Sequence, residues 1–305
     1  MLLDMAPSPI TEVPVLDADI KSRRFGLLSM LAAGVCFSLM NAGVFAISQL
    51  DPQLSSVVIS FFRIAINLLI LLVPALIQGR FNQLLGDRSL SLWLRGVFGS
   101  LALMLSFYSI SRMGPGESTF LNATSGIFVA FLAPFYLKQS NNFRIWGAII
   151  GSFLGISLMF SPGRMFFDLL GFSAGLSSGF LAALAYLMVA QAGRRNSAQS
   201  VVFYFCWVAL ILHILYFCVY DVKWPDNDDL LLGLLMVGIL GSLAQHFMTV
   251  AYQYAPASHI SAASYFTPVL SMVWGGVFFR QIPDLVGLIG ASLILVFGVL
   301  LPFLR

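Results

Sequence analysis

The chain has 305 residues, of which 59% are hydrophobic and only 10% charged, with a formal net charge of +3. Soluble domains carry about 25% charged residues because a water-facing surface needs them, so this chain takes lipid as its solvent. Its basic residues are scattered through short loops with no basic stripe, which argues against nucleic acid as a partner.

Residues 1–24 are polar, contain prolines, and are acidic up to Lys21, Arg23 and Arg24. They lack the apolar segment of a signal peptide and read as a cytosolic N-terminal tail. A helix needs about 20 mainly apolar residues to cross a bilayer. That window predicts ten helices, at 25–47, 54–78, 91–112, 118–137, 143–161, 167–191, 200–220, 229–252, 257–280 and 283–304. Turn chemistry marks the breaks, at Asp51-Pro52, Gly114-Pro115-Gly116, Ser161-Pro162-Gly163, Trp224-Pro225-Asp226 and Pro256. Only Gln281-Ile282 separates the last two. Cys36, Cys206 and Cys218 lie in apolar runs, with neither disulfide nor zinc spacing, and read as small core residues.

Lys and Arg set the orientation of such a bundle. With the N-terminus inside, the inner side holds Lys21, Arg23, Arg24, Arg80, Arg88, Arg95, Lys138, Arg144, Arg194, Arg195 and Arg305, against Arg112, Arg164, Lys223 and Arg280 outside. Both termini are then cytosolic. Each helix running inward begins near an acid: Asp51, Glu117, Asp168, Asp228 with Asp229, and Asp284. A carboxylate there caps free N–H groups and meets the positive end of the helix dipole.

The two halves match in order. Gly96-Val97-Phe98-Gly99-Ser100-Leu101-Ala102 corresponds to Gly238-Ile239-Leu240-Gly241-Ser242-Leu243-Ala244. Pro115 pairs with Pro256, Gly147 with Gly287, Gly26 and Gly34 with Gly171 and Gly179, and Ser56-Val57-Val58 with Ser200-Val201-Val202. The expected fold is an all-α membrane protein of ten transmembrane helices, in five-helix repeats at 25–161 and 167–304. An odd number of spans per repeat inverts one half against the other, with a substrate site near the midplane between them.

Phe61-Phe62-Arg63, Leu94-Arg95-Gly96, the run Ala251-Tyr252-Gln253-Tyr254-Ala255-Pro256-Ala257, and the stretch from Pro268 through Gly287 to Gly298 resemble the drug/metabolite transporter superfamily, specifically its EamA-type permeases. The resemblance implies ten helices, no cofactor, and movement of a small metabolite by alternating access. The Gly-Glu pairs usual in that family are replaced here by Leu137-Lys138-Gln139 and Phe279-Arg280-Gln281.

Arg63 reads as the one charged side chain deep within a span, roughly 13 Å from the outer start of its helix. A buried Arg must face the bundle interior or a wet cavity. It either anchors a carboxylate or phosphate of the substrate, or bonds carbonyls and Asn67 one turn along. Trp207 takes its place in the second half. Asn41, Asn122, Tyr186, Trp207, Gln245, His246 and Tyr265 complete the candidate substrate-binding set, although buried amides in lipid also serve interhelical hydrogen bonding. Glycines at intervals of four, Gly147, Gly151, Gly155 and Gly171, Gly175, Gly179, suit close helix packing or a sliding surface. The histidines lack metal-ligand spacing and no Gly-rich phosphate loop occurs, so no enzyme, metal or cofactor is expected.

The expected function is secondary transport of an amino-acid-like, drug-like or anionic solute across the cell inner membrane, by efflux or exchange. Uptake of a cofactor-like nutrient is the second reading, and a non-transport intramembrane enzyme or receptor the third. The expected partners are a small-molecule substrate and the lipid bilayer, with a homodimer left open.

Overall fold

A computed structural model describes residues 20–139, 141–159, 168–280 and 285–300. The tail at 1–19, the turn at Ser161-Pro162-Gly163, Arg164, Gln281-Ile282, Asp284 and Arg305 lie outside the described residues, as does the side chain of Glu117. Among the described residues every regular element is helical. In chain order these are α1 (Ile20–Leu50), α2 (Ser56–Ile77), the short α3 (Phe81–Leu85), α4 (Leu90–Met113), α5 (Pro115–Leu137) and α6 (Phe143–Met159). Then follow α7 (Leu169–Ala192), α8 (Ala198–Val219), α9 (Asp228–Tyr254), α10 (Ala257–Ser264), α11 (Phe266–Phe279) and α12 (Leu285–Ile294), which runs on as a π-helical segment Leu295–Leu300. Eight segments are long and apolar enough to cross a membrane, and Phe143–Gly155 and Leu285–Phe297 are shorter apolar helices. In two of the ten expected windows the described residues hold a shorter helix than a full crossing.

Local chemistry explains most of the boundaries. Gly114 ends α4 at φ 92°, a conformation glycine adopts without a Cβ clash, and Pro115 opens α5, where its missing N–H costs nothing. Asp168 caps α7 by accepting from the N–H groups of Leu170 and Gly171. Capping elsewhere differs from the acid rule. Ser55 caps α2 and Asn227 caps α9, with Asp228 and Asp229 in that helix's first turn. Asp51 does not cap α2; it accepts from Gln53 N–H and pairs with Lys223.

The expected span at 257–280 appears as one apolar segment, Ala257–Phe279, in which a single turn residue, Tyr265, separates α10 from α11 and keeps right-handed helical angles of φ −63° and ψ −12°. Pro268 follows three residues later and has no N–H for the Ser264 carbonyl, which interrupts the helical ladder there.

The helix pairings repeat with the matched halves exchanged. α4 packs along α7 as α1 packs along α9; α4 meets α8 as α2 meets α9; α5 meets α7 as α10 and α11 meet α1. α2 with α8, and α6 with α12, join matched elements directly.

The loops gather at two ends. At one end Asn196 accepts from Asp87 N–H and donates to its carboxylate, Ser200 and Tyr204 donate to the Gln83 and Leu85 carbonyls, and Arg194 reaches the Leu137 carbonyl. At the other end Lys223 pairs with Asp51 at 2.8 Å, and Arg112 pairs with Asp168. The hydrogen bond from Lys223 holds the Asp51 carboxyl below its usual range. A depressed folded-state pKa adds stability above the unfolded value, and that stability is lost as pH falls through the folded value. The melting temperature of Asp51→Asn in detergent should therefore lie below wild type at pH 7, and the gap should close below about pH 4.

Candidate functional site

α2 and α4 each carry an arginine into the interior, and both side chains are 2% exposed. Arg63 follows from the sequence. Arg95 does not: five residues past the start of α4, it counts from sequence among the inner-side charges at the opening of its helix, yet it lies beside Arg63. Arg63 is therefore not the only deep charge. Helical side chains tilt toward the N-terminus of their helix, which would take Arg95 back toward its loop. It runs the other way because Gly99, one turn on, leaves the space free; a Cβ on Gly99 would fall on the Arg95 guanidinium. On α9, a Cβ on Gly241 would lie 2.6 Å from Arg63 Nε and 3.0 Å from its Cγ.

Gly99 and Gly241 are equivalent positions of the two matched segments, so each segment opens a bay for one arginine. The earlier glycine of each segment sets a helix contact instead. A Cβ on Gly96 would meet the Tyr204 carbonyl oxygen of α8 at 2.9 Å, and one on Gly238 would strike Ile66 of α2. Ser100 and Ser242 donate to the Gly96 and Gly238 carbonyls at 2.5 and 2.7 Å.

Both guanidiniums lie over the ring of Phe205 from α8, with Cζ 5.6 Å from its centroid for Arg63 and 4.5 Å for Arg95. That geometry is within cation–π range. Nε and Nη1 of Arg63 and Nε of Arg95 are buried with no hydrogen-bond partner among the described residues. Asn67 is buried too, with its own Nδ2 unpartnered, and Nε and Nη1 of Arg63 find no acceptor on it.

The arginines line a cavity of ≈ 140 Å³ at the meeting of α1, α2, α4, α5, α7, α8 and α9. Asn41, Asn122, Tyr186, Gln245 and Phe205 share its wall, with Met30, Phe37, Met40 and Met248 as apolar surface. Ser264, Thr267 and Pro268 bring the turn between α10 and α11 to the same wall. Asn122 donates to Ser178 Oγ at 2.9 Å, and Ser178 donates on to the Ala102 carbonyl. Tyr186 stacks on Tyr252 with centroids 5.3 Å apart. Gln245 Nε2 approaches Thr249 Oγ1 at a long 3.4 Å.

Three sequence candidates fall outside the cavity. Trp207 is 43% exposed and stacks on Phe203; an indole is stable against lipid where a guanidinium is not, so the matched position turns outward. Two residues earlier on α8, Phe205 faces in. His246 is half-buried against Phe247, one helical step of about 100° from the cavity-facing Gln245. Tyr265 is 1% exposed and sits in a separate apolar cluster with Ala130, Ile145 and Val269. Gly126 makes room for its ring. The signal that could have found Arg95 was the arginine–glycine pair at i and i+4 inside an apolar run. Among the described residues no Asp or Glu lines the cavity, and no cluster of His, Cys, Asp or Glu could hold a metal.

Comparison with known proteins reaches the same architecture independently. The model of the EamA-like transporter family matches residues 24–161 and again 169–303. An uncharacterized transporter of Helicobacter pylori strain J99 is 28% identical over 285 residues, covering 91% of this chain and 94% of that one. The pseudopaline exporter CntI of Pseudomonas aeruginosa PAO1 is 27% identical over 283 residues, covering 89% and 93% respectively. One solved crystal structure superposes with a TM-score of 0.72 at 15% identity, covering 92% of this chain and 96% of that one; it supports the fold alone.

Proposed function

The chain belongs to the EamA-like transporter family, and from that premise we propose that it carries a small anionic metabolite through the central cavity by alternating access. The observation that carries the reading is Arg63: a buried cation, facing a cavity, with donors that no group among the described residues satisfies. Leaving a charge buried and unpaired is strongly unfavourable, and an anionic solute supplies the missing partner. Asn41, Asn122, Tyr186 and Gln245 are the polar groups placed to hold the rest of the solute. The cavity is smaller than the ≈ 300–1,000 Å³ usual for drug-sized ligands, which supports a metabolite of few atoms over a drug-like solute.

The proposal extends to topology. Ten helices in two five-helix repeats of opposite orientation suit the exchange of pairings between the halves, and repeat transporters rock one half against the other around a fixed midplane site. Both termini are assigned to the cytosolic side of the inner membrane, in keeping with Arg80, Arg88, Lys138, Arg144, Arg194 and Arg195 outnumbering Arg112, Lys223 and Arg280 at the opposite end. Export or exchange is the favoured direction, as for the relative named a pseudopaline exporter.

The test is counterflow in proteoliposomes with matched anionic, zwitterionic and neutral solutes, with and without a pH gradient. Saturable uptake confined to anions is expected. Movement of zwitterions or neutral solutes alone, or of nothing, defeats the reading.

A further inference from the structure

Resting on the transport reading above, we infer that the cavity selects a dianion, with one negative charge met by Arg63 and the other by Arg95. Two guanidiniums share this wall, and both are at least nine-tenths buried with unpartnered N–H groups. Both lie within 5.6 Å of one ring centroid, so their separation cannot exceed the sum of the two distances. Among the described residues the ion pairs are Arg112–Asp168 and Lys223–Asp51, both at one end of the bundle and away from this pair.

A monoanion leaves the pair with a net positive charge. One carboxylate binds one guanidinium fork through two parallel hydrogen bonds, and the second arginine stays uncompensated in a low-dielectric surround. A dianion satisfies both. The bays show that the second arginine is held in place rather than passing by: Gly99 admits Arg95 and Gly241 admits Arg63, on equivalent turns of matched helices. Arg95 is thus a specificity-determining residue, and Gly99 a positioning residue that acts through it. Two carboxylates on a short chain, or a single phosphate monoester, present the same two charges.

The experiment measures binding to the purified full chain in detergent, by thermal shift and titration calorimetry. Succinate is compared with butyrate, which has the same chain length and one charge, and glycerol 3-phosphate with its methyl phosphodiester, which keeps the phosphate and carries one charge. Wild type should bind one of the two dianions at least tenfold more tightly than its partner solute. Arg95→Gln should bring dianion and monoanion to within about twofold of each other. Gly99→Ala keeps both charges but displaces the guanidinium, and should give the same loss if Arg95→Gln fails to fold.

Equal binding of butyrate and succinate together with no preference for glycerol 3-phosphate, no binding of either dianion, or a preference that survives both substitutions overturns the inference. The two readings fail separately. Selective dianion binding without movement in proteoliposomes removes the transport reading and leaves the charge assignment standing. Transport of monoanions without dianion selectivity does the reverse.

Discussion

Arg63→Gln is expected to lower transport by about 100-fold while making the empty protein harder to unfold. The two effects have opposite signs because they come from opposite sides of one interaction. A charge-assisted hydrogen bond contributes about 1.5–3 kcal/mol, and losing the bidentate pair with the substrate at the upper end of that range gives the hundredfold loss. Without substrate the same guanidinium is a buried cation with two unpartnered nitrogens. Arginine at a helix centre costs about 2.5–3.5 kcal/mol, and its cation–π contact with Phe205 returns only about 0.5–2 kcal/mol. Glutamine removes the charge and keeps a hydrogen-bonding tip, so the empty protein should gain about 1–2 kcal/mol. At about 2–4 °C per kcal/mol, the melting temperature should rise by several degrees. Initial rates in proteoliposomes and melting in detergent check the two halves. A purely structural arginine would lose stability and transport together. Arg63→Lys keeps a point charge without the planar fork, and should fall between glutamine and wild type in rate.

The features read correctly from sequence share one property: a short-range physical cause. Gly114-Pro115 ends one helix and starts the next through backbone sterics alone, and Asp168 caps α7 through groups two and three residues away. The paired Gly-x-x-Gly-Ser segments were visible as a repeat, and the structure gives each glycine its task. What stayed hidden depends on which way a side chain turns. Arg95 sits near the end of an apolar run, where an arginine ordinarily reaches back to the interface. Only the missing Cβ at Gly99 lets it turn inward. Trp207 was paired with Arg63 by register, but register places a residue on the helix and does not decide whether lipid can accept it. The span at 257–280 is legible because hydropathy averages over a window, whereas the single turn residue at Tyr265 is not, since the loss at Pro268 is one hydrogen bond. Asp51 was placed as a cap by its position, yet its partner Lys223 lies 172 residues away, and a long-range pair leaves no local trace.

Within the glycine ladders, leucine should be tolerated at Gly147 and highly damaging at Gly179, though both sit at intervals of four in apolar helices. Among the described residues a Cβ on Gly147 would find nothing within 4 Å. On Gly179 of α7 it would meet the Leu121 carbonyl oxygen at 2.8 Å and that of Asn122 at 3.3 Å, besides the Thr124 hydroxyl. The hydroxyl can rotate away, but the carbonyl oxygens are fixed in the backbone of α5. α7 must therefore back off along one of the larger helix interfaces in the bundle. The neighbouring Ser178 moves with it, and Ser178 links Asn122 of the cavity wall to α4 through the Ala102 carbonyl. Overpacking of this kind costs about 1–3 kcal/mol or more, so melting of Gly179→Leu should fall by roughly 5–10 °C. Gly147→Leu should melt as wild type. The comparison also separates packing from motion. If Gly179→Leu kept the wild-type melting temperature and lost transport, the ladder would be a surface on which α7 slides past α5 during the cycle. A fall in melting temperature that matches the fall in active protein assigns it to packing.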